Sequence, residues 1–329
     1  MSEYDVYGVG HALVDMEFKV DDAFLDTIGV EKGTMALVDH DRQEEIVKAL
    51  TGRSVERACG GSAANSIIGV AQFGGRAFHA CKVAADEAGD FFASDMKADG
   101  VNHPLDGERQ AGATGRCLVL ITPDAERTLI TNLGISELVS PDDLDEAALK
   151  QAKYLYVEGY LVSSPSARAA AVQALEMARA AGVKTALTFS DVNMIKFFRD
   201  GFEEMIGSGL DLIFCNEAEA LEFTGADDIN SACQALRKRA DHVAITLGNK
   251  GAVLHDGQQQ IDIPGIMVDA VDTNGAGDMF AGAFLYGITQ GFDFEQAGKL
   301  ACQAASVLVT QFGARLKSGQ ALDILKKFG

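Results

Sequence analysis

Residues 269–287 read DAVDTNGAGDMFAGAFLYG, and the fold depends on how they are parsed. The apolar run Ile266 to Val271 is expected to be the end of a strand. Asp272, Thr273, Asn274, Gly275, Ala276 and Gly277 then form a turn. Met279 to Tyr286 is largely apolar and helical in character. A strand, a glycine-rich turn and a buried helix make an anion site. The glycines let the backbone approach an oxyanion, and the first N–H groups of the helix are unpaired. Asp278 is out of place for anion binding alone, because it repels the anion. It makes sense where a group between it and a phosphate must lose a proton, as when a hydroxyl attacks a phosphoryl group. The same residues also suit a simpler job, a tight turn capping a buried helix with a dipole-favoured acid in its first turn.

The spacing excludes two commoner phosphate motifs. No Gly-x4-Gly-Lys-Ser/Thr is present, so there is no P-loop. Phe280 stands where a dinucleotide fingerprint starting at Gly275-x-Gly277 needs its third glycine.

Composition narrows the class further. The 329 residues, 47% apolar, suffice for one large α/β domain or two smaller ones. The net charge, 28 − 48 = −20, argues against nucleic acid as a partner. Cys59, Cys81, Cys117, Cys215, Cys233 and Cys302 show neither Cys-x-x-Cys nor metal spacing, and read as buried free thiols. The N-terminus lacks a signal segment, and no apolar run reaches the ~18–20 residues of a membrane span. A cytoplasmic protein without membrane partners is expected. No linker or internal repeat is visible.

From Ser140 onward strands and helices alternate. Strands are expected at 154–157, 183–189, 210–215, 242–247 and 252–255, and helices at 166–181, around 197–205 and, last, about 294–310. That alternation implies a parallel sheet covered on both faces, with ligands at the carboxyl ends of its strands. Glu158-Gly159-Tyr160, Asp191 with Asn193, and Asn216 with Glu219 all fall there. Earlier, Val6–Gly10 reads as a strand, 16–20 alternates, and 115–121 with 127–131 forms a hairpin. A helix from Ser62 to Phe73 is closed by Gly74-Gly75.

DTNGAGD followed by MFAGAFL is similar to the second signature of the ribokinase-like (PfkB) family of sugar and nucleoside kinases. GGSAANSIIGVAQFGG, Gly60 to Gly75, resembles the first. The resemblance runs from Asp5 to about Leu316 and is strongest to adenosine kinases. It implies an α/β, Rossmann-like ribokinase fold over 1–329. A mostly parallel central sheet would be covered by helices on both faces, with a small β lid from about 11–20, 34–39 and 114–132.

It also implies roles. Asp278 would be the base and Arg127 would approach the transferring phosphate. Asp15 would hold two sugar hydroxyls. His11, where adenosine kinases usually carry asparagine, would be a substrate contact with Gly60, Gly61, Ser62 and Asn65. Leu13, Leu129, Thr131 and Tyr160 would line the nucleobase or sugar pocket. Thr273, Gly275, Ala276 and Gly277 would bind phosphate, and Thr246, Gly248 and Gly251 would form the nucleotide turn. Asn216 and Glu219 would organise water and Mg²⁺, Glu219 through water. Asp272, with 312–314, would sit by a monovalent cation such as K⁺. Several have a plainer alternative. Asp15 suits a solvated turn, Asn65 a local amide, Arg127 a partner of Glu126 or Asp124, Asn216 and Glu219 a helix cap, and 246–251 a hairpin. The implied reaction is ATP-dependent phosphorylation of a nucleoside 5′-hydroxyl, adenosine first, by a monomer or homodimer. Inosine, guanosine or a sugar such as ribose or fructose come next, and an inactive ligand sensor is the alternative outside catalysis.

Overall fold

A computed structural model describes residues 2–124 and 126–328. Its strands are β1 (Tyr4–Val9), β2 (Leu13–Lys19), β3 (Met35–Leu37), β4 (Glu56–Gly60), β5 (Ala77–Ala80), β6 (Val101–Asn102), β7 (Thr114–Ile121), β8 (Arg127–Gly134), β9 (Ala152–Val157), β10 (Lys184–Thr188), β11 (Leu210–Asn216), β12 (Ala240–Thr246), β13 (Gly251–His255) and β14 (Gln260–Pro264). They divide between two sheets.

The larger sheet runs β14-β13-β12-β11-β10-β9-β1-β5-β6. It is parallel from β12 to β6, and β13 and β14 add an antiparallel edge. Its middle strands are apolar because both faces are covered; β1 is buried at every residue. One face packs on the helices Ser62–Gln72, Ala276–Thr289 and Phe294–Leu308. The other packs on helices that include Pro165–Ala181 and Val192–Ile206. This is a ribokinase-type α/β fold, as the sequence led one to expect.

Two glycines explain how the signature helices meet. A Cβ on Gly282 would lie 2.4 Å from the Ser66 carbonyl, and one on Gly69 would lie 3.6 Å from the Gly282 Cα. Backbones this close exclude any larger residue at Gly282. Asp278 lies one turn before Gly282, so the contact carries it to Ser62 and Asn65.

The smaller sheet runs β3-β8-β7-β2-β4. Phe18, Leu118, Leu120 and Ile130 pack its outer face against Leu25 and Ile28 of the helix Asp22–Ile28 and Ile46 of the helix His40–Ala49. Asp15, Cys117 and Thr131 stand opposite one another across β2, β7 and β8. By alternation they share the other face.

Three expectations need correction. Residues 265–270 have no regular structure, so the run Ile266 to Val271 is not a strand. Ile266, Met267, Val268 and Val271 are exposed, and the β13–β14 ladder ends at Pro264. The helix Phe294–Leu308 is not the last, since Gln320–Lys326 follows. The smaller sheet also contains β4, which the expected segments omitted. All six cysteines are free and buried. Among the described residues no helix is long and apolar enough to cross a membrane.

Candidate active site

The two sheets and the signature helices enclose a cavity of about 550 Å³. A second cavity, of about 570 Å³, lies by Lys82 and Arg109, whose charges are already met by Asp143 and Asp90. The chemistry gathers in the first.

Asp278 sits in the first turn of the helix Ala276–Thr289. Ser62 Oγ donates to its Oδ1 at 2.6 Å, and Asn65 Nδ2 to its Oδ2 at 3.1 Å. Burial raises its pKa to about 6 against those two hydrogen bonds, which lower it. Gly275 precedes the helix at φ 72°, and a Cβ there would lie 2.7 Å from the Ala314 Cβ. Only glycine suits both constraints. Of the residues expected to hold phosphate, Ala276 has its N–H already given to the Thr273 carbonyl at 3.2 Å. Gly277 and Asp278 are first-turn residues, where N–H groups lack intrahelical acceptors.

Asp15 lies across the cavity on β2. Among the described residues no side chain or backbone N–H donates to its carboxylate. Burial raises its pKa to about 7; Arg315 opposes this, Glu17 adds to it, Arg127 opposes and Asp278 adds. A Cβ on Gly60 would lie 2.2 Å from Asp15 Oδ1. Gly60 therefore makes room for the carboxylate from behind and does not line the cavity, contrary to its expected substrate contact. Gly61, at φ 104°, does line it, with Ser62 and Asn65.

His11, Leu13, Leu129, Thr131 and Tyr160 line the cavity too. So do Asn216, Glu219, Thr246, Thr273, Gly275, Ala276 and Gly277. Asn216 and Glu219 also form a capping box: Asn216 N and Nδ2 donate to the Glu219 carboxylate, and Glu219 N donates to Asn216 Oδ1. Burial lifts Glu219 to about 7, the Asn216 backbone bond opposing and Asp191 adding. With both oxygens engaged, Glu219 would meet a divalent ion through water. That fits Mg²⁺, which keeps several waters and arrives on phosphate oxygens. Among the described residues no cluster of three or more His, Cys, Asp or Glu forms a metal cage.

Besides Gly60, the expected residues Gly248, Gly251, Arg127 and Asp272 lie outside the cavity wall. Gly248 and Gly251 shape the β12–β13 turn; a Cβ on Gly251 would lie 2.0 Å from the Ile263 carbonyl. Arg127 pairs neither with Glu126 nor with Asp124. Its Nη2 lies 2.8 Å from Asp272 Oδ2 and 3.2 Å from Glu17 Oε1. The contacts are poorly aligned for hydrogen bonds, and the Arg127 guanidinium nitrogens have no acceptor. This is a charge contact with spare donors. Asp272, expected beside a monovalent cation, accepts from Asn274 N at 3.0 Å and Gly313 N at 2.8 Å, and its neighbouring cation is Arg127. Asp191 caps the helix Val192–Ile206 by accepting from Asn193 N.

Sequence reasoning gave no role to several wall residues. Met194, Phe198 and Phe214 add apolar surface, and Met35 and Leu37 add more from the edge strand β3. Glu158, 1% exposed, is the most telling. Its position directly after a buried strand was the only signal.

Known proteins resemble this chain over almost its whole length. The family model described as pfkB family carbohydrate kinase matches residues 32–320. Adenosine kinase 2 of Arabidopsis thaliana is 28% identical over 95% of this chain and 96% of its own. The crystal structure of adenosine kinase from Sinorhizobium meliloti superposes with a TM-score of 0.89 at 35% identity, over 99% of this chain and 100% of that one. A probable sugar kinase from Rhizobium etli CFN 42 gives 0.90 at 34%, over 99% of both chains. The chain belongs to the pfkB family of carbohydrate kinases. It is a nucleoside or sugar kinase of that family.

Proposed function

We propose that the protein transfers the γ-phosphate of ATP to the 5′-hydroxyl of a nucleoside, adenosine first. The observation that carries this is the placement of Asp278. It is hydrogen-bonded on both oxygens, raised to about 6, and set at a glycine-led helix N-terminus across from an unpaired Asp15. A carboxylate near that value is ionised at neutral pH and still basic enough to take a proton from an attacking hydroxyl. The hydroxyl sits between Asp278 and the phosphate. The N–H groups of Gly275 and Gly277 and the helix end hold charge on the transferring group. Asp15 takes the ring hydroxyls through charge-assisted hydrogen bonds. The exposed apolar run Ile266, Met267 and Val268, next to the Gly248–Gly251 turn, offers a face to the ATP base. Mg²⁺ neutralises phosphate charge when bound, with Asn216 and Glu219 ordering the water around it.

The nucleoside reading rests on the apolar wall. Leu13, Leu129, Met35, Leu37, Phe198 and Tyr160 are far more hydrophobic surface than a free sugar needs. The second reading, a sugar kinase, is favoured by the resemblance to the Rhizobium etli protein. A coupled ADP-release assay with ATP and Mg²⁺ across adenosine, inosine, guanosine, ribose and fructose separates them. Turnover at micromolar adenosine with little on free sugars supports the first; turnover on a free sugar alone removes it.

A further inference from the structure

His11 and Glu158 are buried against each other at the carboxyl ends of β1 and β9. His11 is 2% exposed and Glu158 1%. His11 Nδ1 lies 3.2 Å from Glu158 Oε1, and Ala63 N donates to Glu158 Oε2 at 2.9 Å. Ala63 is in the first turn of the helix Ser62–Gln72, whose N-cap, Gly61, has no side chain to cap it. Glu158 takes over that task through the bond from Ala63 N. Gly10 is the residue that permits it, since a Cβ there would lie 2.5 Å from Glu158 Oε2. Both carboxylate oxygens thus accept.

An acceptor on Nδ1 decides the ring. In a neutral imidazole one nitrogen donates and the other accepts. With Nδ1–H given to Glu158, Nε2 keeps its lone pair. That Nε2 is buried without any partner, in a residue that lines the cavity. Asn65 is matched to it: its Nδ2 donates to Asp278, and its Oδ1 is buried and unpartnered. Asp15, only partly buried on the cavity wall, is a third acceptor, a carboxylate, without a donor. The two buried unpartnered acceptors, His11 Nε2 and Asn65 Oδ1, with Asp15 beside them, call for a ligand rich in O–H groups, because an unmet buried polar atom is costly.

We propose that Glu158 fixes His11 as the Nδ1–H tautomer, so that Nε2 accepts from a substrate ring hydroxyl and the pair selects hydroxylated over deoxygenated sugars. The proposal rests on the nucleoside or sugar kinase reading above. Glu158 is a positioning residue and His11 a specificity residue. Glu158→Gln keeps the shape, but its amide must turn either N–H₂ toward Ala63 N–H or N–H₂ toward His11. The second outcome drives the imidazole proton to Nε2.

The test is nitrogen NMR on ring-labelled histidine, with His11 assigned by loss of its signals in His11→Phe. In the wild-type protein Nδ1 carries the proton and Nε2 does not, and saturating adenosine or ribose shifts Nε2. In Glu158→Gln the pattern reverses, and KM for adenosine rises about tenfold, the worth of one hydrogen bond, with kcat within about threefold. The KM penalty disappears with whichever of 2′-deoxy- or 3′-deoxyadenosine lacks the hydroxyl that Nε2 contacts. A wild-type His11 protonated on Nε2 alone overturns the proposal. So does a reversed pattern with unchanged KM, or an Nε2 signal unmoved by a saturating ligand. If Glu158→Gln does not fold, the wild-type signals decide. If no nucleoside is turned over, the kinase reading fails, while the wild-type tautomer and the ribose titration still judge this pair.

Discussion

Two carboxylates face each other across the cavity, and they are not in the same condition. Asp278, on the body, receives Ser62 Oγ at 2.6 Å and Asn65 Nδ2 at 3.1 Å. Asp15, on the smaller sheet, receives nothing. Burial raises both, but Asp278 to about 6 and Asp15 to about 7. Hydrogen bonds from Ser62 and Asn65 oppose burial at Asp278, whereas at Asp15 only the charges of Arg315 and Arg127 do. The body side is finished before substrate arrives. The smaller sheet still lacks donors that a substrate must bring. Arg127 repeats the contrast: it reaches Asp272 at 2.8 Å as a charge contact and keeps unused N–H groups. A base has to be held in place in advance, since misplacement costs rate directly. A binding carboxylate left unpaired makes recognition depend on the ligand that completes it.

The sharpest way to break this contrast is to neutralise each acid in turn. Asp278→Asn is expected to lower kcat by about a thousandfold or more, in the range of general-base loss, with substrate binding by calorimetry within a few-fold. A near wild-type rate would remove Asp278 as the base. Asp15→Asn is expected to act on the other term. Loss of charge on two hydrogen bonds lowers kcat/KM about a hundredfold, mostly through KM. The effect should shrink on a 2′,3′-dideoxynucleoside, which lacks the donors. An equal penalty on that analogue would show that Asp15 acts otherwise.

The pH profile carries a smaller but separate signal. Both acids must be ionised, one to accept a proton and the other to bind through charge. With values of about 7 and about 6, kcat/KM should fall with one proton below pH 7 and with two below pH 6. In Asp15→Asn only the lower limb should remain. A profile flat through that window would place both groups lower than their burial holds them.

How far the sequence carried this picture depends on distance along the chain. The helix from Ser62 and the helix after Gly277 were legible because their glycines and apolar runs are local signals. The alternating second half was legible for the same reason. What escaped was set by tertiary register. His11 and Glu158 are 147 residues apart, and nothing in either neighbourhood names the other. Arg127 has acids at 124 and 126 beside it, yet Glu17 and Asp272 are its partners. Glu56–Gly60, five residues opening with charge, gave no strand pattern. Ile266 to Val271 misled in the opposite direction. Apolar composition implies burial only on average, and these residues are exposed.

The smallest effect tests whether the finished side is finished at a cost. Asp278 has a folded value of about 6 against 3.8 unfolded. Between those values the folded state holds more protons, so stability falls as pH rises through the window and stays lower above it. At neutral pH the buried charge therefore costs the fold up to about 3 kcal/mol by linkage. Asn removes the charge but also weakens the bonds from Ser62 and Asn65, which returns part of that. The net expectation is a gain of about 1–2 kcal/mol and a Tm higher by a few degrees at pH 7.5. The gain should vanish near pH 4, where the wild-type carboxyl is protonated as well. Thermal melts at both pH values check it. A variant that loses turnover and gains stability only at neutral pH marks Asp278 as a charge kept for chemistry. A variant that loses both would mean its hydrogen bonds hold the signature helices together.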